Sequence, residues 1–124
     1  MTLNLENSDL GKPLRGIASL ESKDKFRVEN VRLEIRVEEK WKERRAGYGA
    51  RGRPTSTTAT VTSTLYSQDI PISQSFEMAN QDKIDFPFEI TIPMYQPTRG
   101  QITYSLKAVA NVKGRPDITK EIKL

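Results

Sequence analysis

The fold is decided by the stretch Val31-Arg32-Leu33-Glu34-Ile35-Arg36-Val37-Glu38. Apolar and charged residues alternate strictly through it, and Trp41 returns in phase with the apolar residues after Glu39. A period of two places all the apolar side chains on one face of a strand, whereas a helix would scatter them around its circumference. The charged face is typical of an antiparallel sheet with one side in water. Residues 28–41 are therefore predicted to form a long strand.

The same period recurs in two later segments of the chain. Residues 84–92 place isoleucine and phenylalanine at every second position, interrupted on the outward face by Pro87. Because proline cannot donate a hydrogen bond to a neighbouring strand, this strand is predicted to lie at a sheet edge or to be bulged there. Residues 102–112 carry the third clear stripe. Weaker strand patterns cover residues 3–6, 13–21, 57–66, 70–79 and 117–124.

Polar turn sequences separate these segments, as in Asn80-Gln81-Asp82 and Lys113-Gly114-Arg115-Pro116-Asp117. Short strands joined by such turns, with no helical stretch between them, are typical of an antiparallel sandwich. The length of 124 residues suits a single domain spanning residues 1–124. The predicted fold class is all-β, an antiparallel immunoglobulin-like β-sandwich of about seven or eight strands.

The composition excludes most of the common catalytic chemistries. The chain has no cysteine and no histidine, which removes thiol nucleophiles, thiolate metal sites, and the most frequent general base and metal ligand. We therefore predict a non-enzymatic protein with no catalytic residues, cofactor, metal or small-molecule substrate. The first residues contain no basic segment followed by an apolar one. We therefore expect no signal peptide and a cytoplasmic location. The 29% of charged residues and the lack of cysteine would also suit a heat-adapted protein.

Positive charge is concentrated in residues 40–53. This segment holds six basic residues against a single acid, Glu43, for a local net charge of +5, which leaves −1 elsewhere because the chain totals +4. Three glycines and two aromatic residues lie among the cations. Arginine binds carboxylate and phosphate groups through paired hydrogen bonds. We predict a basic, flexible hairpin loop over residues 42–55, with partner-binding residues Lys40, Lys42, Arg44, Arg45, Tyr48, Arg51 and Arg53.

Several stretches together resemble the arrestin-like family. Residues 10–20 (LGKPLRGIASL) resemble the opening of arrestin-like domains, in which a glycine-marked turn leads into a strand with a second glycine. Residues 86–93 (FPFEITIP) resemble the phenylalanine-to-proline strand of that family, and residues 102–108 (ITYSLKA) its tyrosine-containing strand. Residues 114–118 (GRPDI) suit the turn that closes the sandwich. The similarity covers nearly the whole chain in the expected order.

This resemblance implies a β-sandwich that acts as a protein-binding adaptor. Relatives include the visual and β-arrestins, the arrestin-like retromer subunit and bacterial sporulation-control proteins. The better-known members pair two such sandwiches, whereas this chain has the length for one, so their activation machinery is not carried over. No functional motif of the family is recognisable here, and no family site residue is transferred.

Three functional hypotheses follow from the sequence. The leading one is an adaptor whose basic segment, residues 40–53, docks on an acidic or phosphorylated protein. The second is weak, salt-sensitive binding of nucleic acid or an anionic membrane by the same segment. The third is an assembly module, including a homodimer, that pairs through open sheet edges at the start of the chain or at residues 84–92. The composition also fits a solvated hairpin without a binding function, whose charges only keep the sheet edge soluble. Trp41 is in phase with the apolar residues of the strand and is predicted to be a core residue.

Overall fold

The structure is a computed structural model that describes residues 1–7, 9–49, 52 and 54–124, with the backbone alone at Arg45, Tyr48, Pro54 and Thr55. The described residues form eight β-strands and no α-helix. The strands are β1 (Thr2–Leu5), β2 (Pro13–Glu21), β3 (Phe26–Tyr48), β4 (Pro54–Ser73), β5 (Phe76–Met78), β6 (Lys83–Thr91), β7 (Gln101–Val112) and β8 (Ile118–Lys123).

The strands form two antiparallel sheets. The first sheet has the order β1-β2-β6, and the second has the order β4-β3-β7-β8, with β5 paired to the first residues of β3. Every pairing between these strands is antiparallel. This architecture confirms the predicted all-β sandwich and its number of strands.

The apolar stripe of β3 lies in the core between the two sheets. Leu33, Ile35 and Val37 are fully buried, and they belong to one cluster with Leu14 of β2 and Ile90 of β6. Burial of each such aliphatic side chain stabilises the fold by about 1.5–3 kcal/mol. The apolar residues whose alternation predicted the strand are thus the residues through which β3 packs against the first sheet.

Strand β3 is longer than predicted. It runs from Phe26 to Tyr48 rather than over 28–41. The residues added at its start pair with β5, and those added at its end pair with β4 as far as the pair Tyr48–Pro54. The predicted hairpin loop over 42–55 is therefore wrong in its extent, because most of that segment is paired strand. Threonine-rich β4 supplies the partner, and threonine favours strand conformation.

Strand β4 replaces two strands that were predicted separately. The patterns at 57–66 and 70–79 belong to one strand, Pro54–Ser73, followed by the short β5. The pairing with β3 contains a bulge between the pairs Val37–Tyr66 and Glu38–Thr64, where β4 has one residue more than β3. The two predicted segments were separated by the polar residues 67–69, and these lie within the continuous strand, paired with residues 34–36 of β3.

The edges of the first sheet are β1 and β6, as the sequence indicated. Strand β6 carries Pro87 and, among the described strands, has β2 as its single neighbour, which is the kind of sheet position where proline is tolerated. Strand β1 has only four residues. Short edge strands and edge prolines both discourage further strand pairing.

Candidate binding site

The candidate site lies at the end of the second sheet where β3 extends beyond its neighbour β7. Strand β7 begins at Gln101, which pairs with Lys40 of β3. Beyond Lys40, β3 continues to Tyr48, and among the described strands it pairs there with β4 alone. We call the side of β3 from Lys42 to Tyr48 that faces away from β4 the step. In an antiparallel strand every second residue directs its N–H and C=O toward such an open side.

A row of three cations lies on the outer face of β3 at this point. Lys40, Lys42 and Arg44 are exposed and occupy alternate positions, so their side chains leave the same face. Residues two apart on a strand are about 6.6–6.8 Å apart. On β4 the three residues opposite the cations are exposed threonines, namely Thr62, Thr60 and Thr58. Short hydroxyl side chains therefore border the row and leave the cations accessible.

The three cations of this row differ from the arginines further back on the same face, which form ion pairs. Further back on the same face, Arg32 pairs with Glu34 at 3.1 Å and Arg36 pairs with Asp69 at 2.9 Å, so that part of the sheet is neutral. Within the described part of the chain, Lys40, Lys42 and Arg44 make no ion pair. The excess positive charge found in the sequence is thus presented to solvent at one end of the sheet.

An open cavity of about 220 Å³ lies beside the row, at the first residues of β7. It is lined by two ammonium-bearing side chains together with hydroxyl, amide and indole groups, from Lys40, Trp41, Lys42, Thr60, Gln101 and Thr103. Ammonium, hydroxyl and amide groups are all hydrogen-bond donors. Donors of this kind are the groups that bind a carboxylate or a phosphoryl group.

A buried carboxylate, that of Glu39, lies on the inner face of β3 next to the cationic row. Glu39 is only 3% exposed, and its Oε2 accepts hydrogen bonds from the backbone N–H groups of Thr98 (2.8 Å), Arg99 (2.9 Å) and Gly100 (3.1 Å). Its Oε1 accepts a fourth, from Thr98 Oγ1 at 3.0 Å. These donors, led by the Arg99 N–H, outweigh burial and lower the pKa of Glu39 to about 2. Glu39 therefore fixes the turn that leads into β7.

Trp41 lies between this turn and the hairpin. The guanidinium of Arg99 lies 5.2 Å from the centre of its ring, and its Nε1 donates a hydrogen bond to Glu43 at 3.3 Å. The indole is half-buried. Trp41 belongs to neither core cluster, so the core role predicted for it is wrong. It packs at the end of the sheet, and its contact with Arg99 occupies one face of the ring.

The structure brings three of the seven predicted site residues together, namely Lys40, Lys42 and Arg44. Arg45 and Tyr48 take strand positions opposite Thr57 and Pro54, and their side chains lie outside the described part of the structure. Arg51 and Arg53 lie outside the described residues altogether. Sequence reasoning missed the polar neighbours that β4 and β7 contribute to the cavity, Thr60, Gln101 and Thr103. It also missed Glu39, although a carboxylate in phase with the apolar stripe was a visible signal.

The described residues contain no group of three or more acidic side chains that could hold a metal ion. They also contain no helix long and apolar enough to cross a membrane.

The fold matches a solved structure. The chain is similar to Spo0M, a sporulation control protein from Bacillus subtilis, with a TM-score of 0.68 and 16% sequence identity. The match covers 99% of this chain and 46% of that one, so the chain spans about half the length of Spo0M. This confirms the arrestin-like β-sandwich that the sequence resemblance implied, and at this identity the likeness concerns the fold alone. No protein-family model matches the chain, and no curated protein sequence does.

Proposed function

We propose that this chain is a non-enzymatic binding module that docks an acidic or phosphorylated segment of another protein on its cationic row. The observation that supports this most directly is the absence of ion pairs at Lys40, Lys42 and Arg44 within the described residues, beside arginines that are paired. A regulatory role of this kind also suits the control function named for Spo0M.

Electrostatics favour a partner that carries several negative charges. Three cations spaced along one strand produce a positive potential that attracts acidic partners and speeds their association. The attraction between exposed charges falls within about 8 Å at physiological salt, so the partner must contact the row rather than sense it from afar. An extended acidic segment meets this condition because its own charges can follow the strand.

The geometry favours a protein partner over nucleic acid. Single-stranded nucleic acids are held largely by bases stacked on open aromatic rings. At Trp41 the Arg99 guanidinium already lies over the ring. The cavity beside the row presents donors suited to a single carboxylate or phosphoryl group. The cationic row and the cavity beside it therefore suit the carboxylate or phosphoryl groups of a protein better than the bases of a nucleic acid.

Charge reversal of the row is expected to abolish binding. In the triple variant Lys40→Glu, Lys42→Glu, Arg44→Glu, an acidic peptide meets a negative face, and we expect its affinity to fall by roughly 100-fold or more. The matched control is Lys113→Glu, Lys120→Glu, Lys123→Glu, which changes the net charge equally at exposed positions remote from the row. The control should bind within about threefold of the unchanged chain.

The measurement is calorimetric titration with a short peptide in which Glu alternates with Thr, backed by circular dichroism to verify folding of both variants. Equal losses in the two triple variants would show that net charge alone drives binding, which contradicts a localised site. Single-stranded DNA and anionic vesicles are titrated in parallel at two salt concentrations. Tighter binding of either than of the peptide would replace the proposed protein partner with that ligand.

A further inference from the structure

On the side of the hairpin opposite the step, β4 forms a long sheet edge without charge. From residue 55 to residue 68 it has no charged side chain and no proline. Among the described strands β4 pairs with β3 alone, and it is the last strand of the second sheet. The hydrogen bonds of the described residues include none to the backbone of residues 56–64 from the side away from β3. We call residues 56–64 the β4 edge.

The other strands that end a sheet in the described part of the chain are protected against further pairing. Strands β1 and β5 have four and three residues, and β6 carries Pro87. Strand β8, at the opposite end of the second sheet, carries Lys120, Glu121 and Lys123. Short strands, prolines and charges are the means by which proteins keep sheet edges apart. The β4 edge has none of them, which is expected of an edge that is covered by a partner strand.

We propose that the β4 edge pairs antiparallel with the same edge of a second copy of this chain, about a two-fold axis near Val61. Val61 lies near the middle of the uncharged stretch, and in this register Thr60 of each copy lies opposite Thr62 of the other. Each strand thus meets its own sequence, and no pair along the edge brings like charges together. Cross-strand pairs of β-branched or hydroxyl side chains each stabilise a sheet by roughly 0.2–1 kcal/mol. The proposal goes beyond the proposed function, because docking of a peptide on one chain does not require it.

The cationic rows permit this pairing. Each row lies on β3, so the two β4 strands separate the rows by three strand spacings of about 4.8 Å, or about 14 Å in all. At physiological salt, exposed charges more than about 8 Å apart are largely screened. Because the two-fold axis is perpendicular to the sheet, both rows lie on the same outer face of one continuous sheet. The pair would therefore present two docking sites to a partner with two acidic stretches, which raises avidity without any new contact.

The double variant Thr60→Glu, Thr62→Glu tests the pairing. Within one chain the new carboxylates lie opposite Lys42 and Lys40, so the monomer is expected to remain folded, which circular dichroism verifies. In the pair, four carboxylates meet around the axis, and like charges directly opposite each other are destabilising. By sedimentation equilibrium without peptide, we expect the dissociation constant of the dimer to rise by about 100-fold or more.

The matched control is Thr91→Glu, Thr119→Glu. It adds the same charge at two exposed threonines of β6 and β8, outside the β4 edge, and its dissociation constant should stay within about threefold of that of the unchanged chain. Equal weakening by both double variants would contradict pairing at this edge. An unchanged chain that stays monomeric at about 1 mM would overturn the proposal and leave peptide docking unaffected.

Amide exchange followed by NMR locates the interface. As the chain concentration is raised through the dissociation constant, every second amide of the β4 edge should exchange at least about tenfold more slowly. Protection confined to β1, β6 or β8 instead would assign the contact to another edge and overturn the proposal. Pairing occupies the β4 edge of both copies, so the mass should stop rising at two chains. Growth beyond two would contradict a closed pair.

Discussion

Replacing Gly100 with alanine is expected to lower the free energy of unfolding by about 3 kcal/mol. A Cβ at this position would overlap the backbone carbonyl oxygen of Lys40, and it would lie 2.8 Å from the Cβ of Trp41. The obstacle is backbone rather than the end of a flexible side chain, so one strand must move. Movement of Gly100 would also disturb its N–H, which donates to Glu39 at 3.1 Å, and the start of β7 at Gln101.

Gly114→Ala is the matched control for this prediction. Gly114 has a φ of +71°, and a Cβ there would meet nothing within 4 Å, so the substitution adds conformational strain without a steric clash. We expect it to cost about 1–2 kcal/mol, the penalty of left-handed backbone for an L-residue. Urea denaturation at pH 7 measures both variants. A Gly100→Ala variant no less stable than Gly114→Ala would contradict the close packing of the turn against β3.

The alternation of apolar and charged residues predicted the part of β3 that faces the core, but not the part beyond it. The apolar stripe up to Val37 exists because that part of the strand faces the core, and the sequence therefore predicted it correctly. Beyond Lys40 the hairpin leaves the sandwich, and residues 42–45 are charged without interruption. A two-stranded ribbon has no core side, so no stripe marks it. Its strand conformation comes from pairing with β4, which periodicity within one segment does not report.

The candidate site was predictable in its charge but not in its surroundings. Local composition located Lys40, Lys42 and Arg44, since an excess of cations is visible in one segment of the sequence. Gln101 and Thr103 lie beside them only because β7 pairs with β3 and begins at this point. Such a neighbour depends on register between segments about 60 residues apart, which no local pattern encodes.

Glu39 was identifiable as an anomaly, though its partners were not. It stands in the apolar phase of β3, where a carboxylate must find hydrogen bonds or remain at the surface. Its donors come from Thr98, Arg99 and Gly100, and the turn that presents them is fixed only in the folded chain. The sequence thus shows that something must satisfy this carboxylate, and the fold shows what does.

Replacing Glu39 with glutamine is expected to destabilise the chain in a manner that depends on pH. Glutamine keeps an oxygen that can accept from the backbone N–H groups but removes the negative charge, and hydrogen bonds to a charged acceptor are the stronger ones. At pH 7 we expect the melting temperature of Glu39→Gln to lie roughly 5–10 °C below that of the unchanged chain. Glu29→Gln, at an exposed position of the same strand, should change it by no more than about 2 °C.

The direction of the pH dependence follows from the lowered pKa of Glu39. Its carboxyl has a pKa of about 2 in the folded chain against 4.5 ordinarily, so the unfolded chain binds the proton more readily. The stabilisation by its charge is therefore fully present above pH 4.5 and is lost as the pH falls toward 2. Melting curves of both chains between pH 7 and pH 2 should converge as the acid limit is approached. A constant gap between them would show that Glu39 stabilises the turn through its shape and neutral hydrogen bonds, and that its charge contributes nothing.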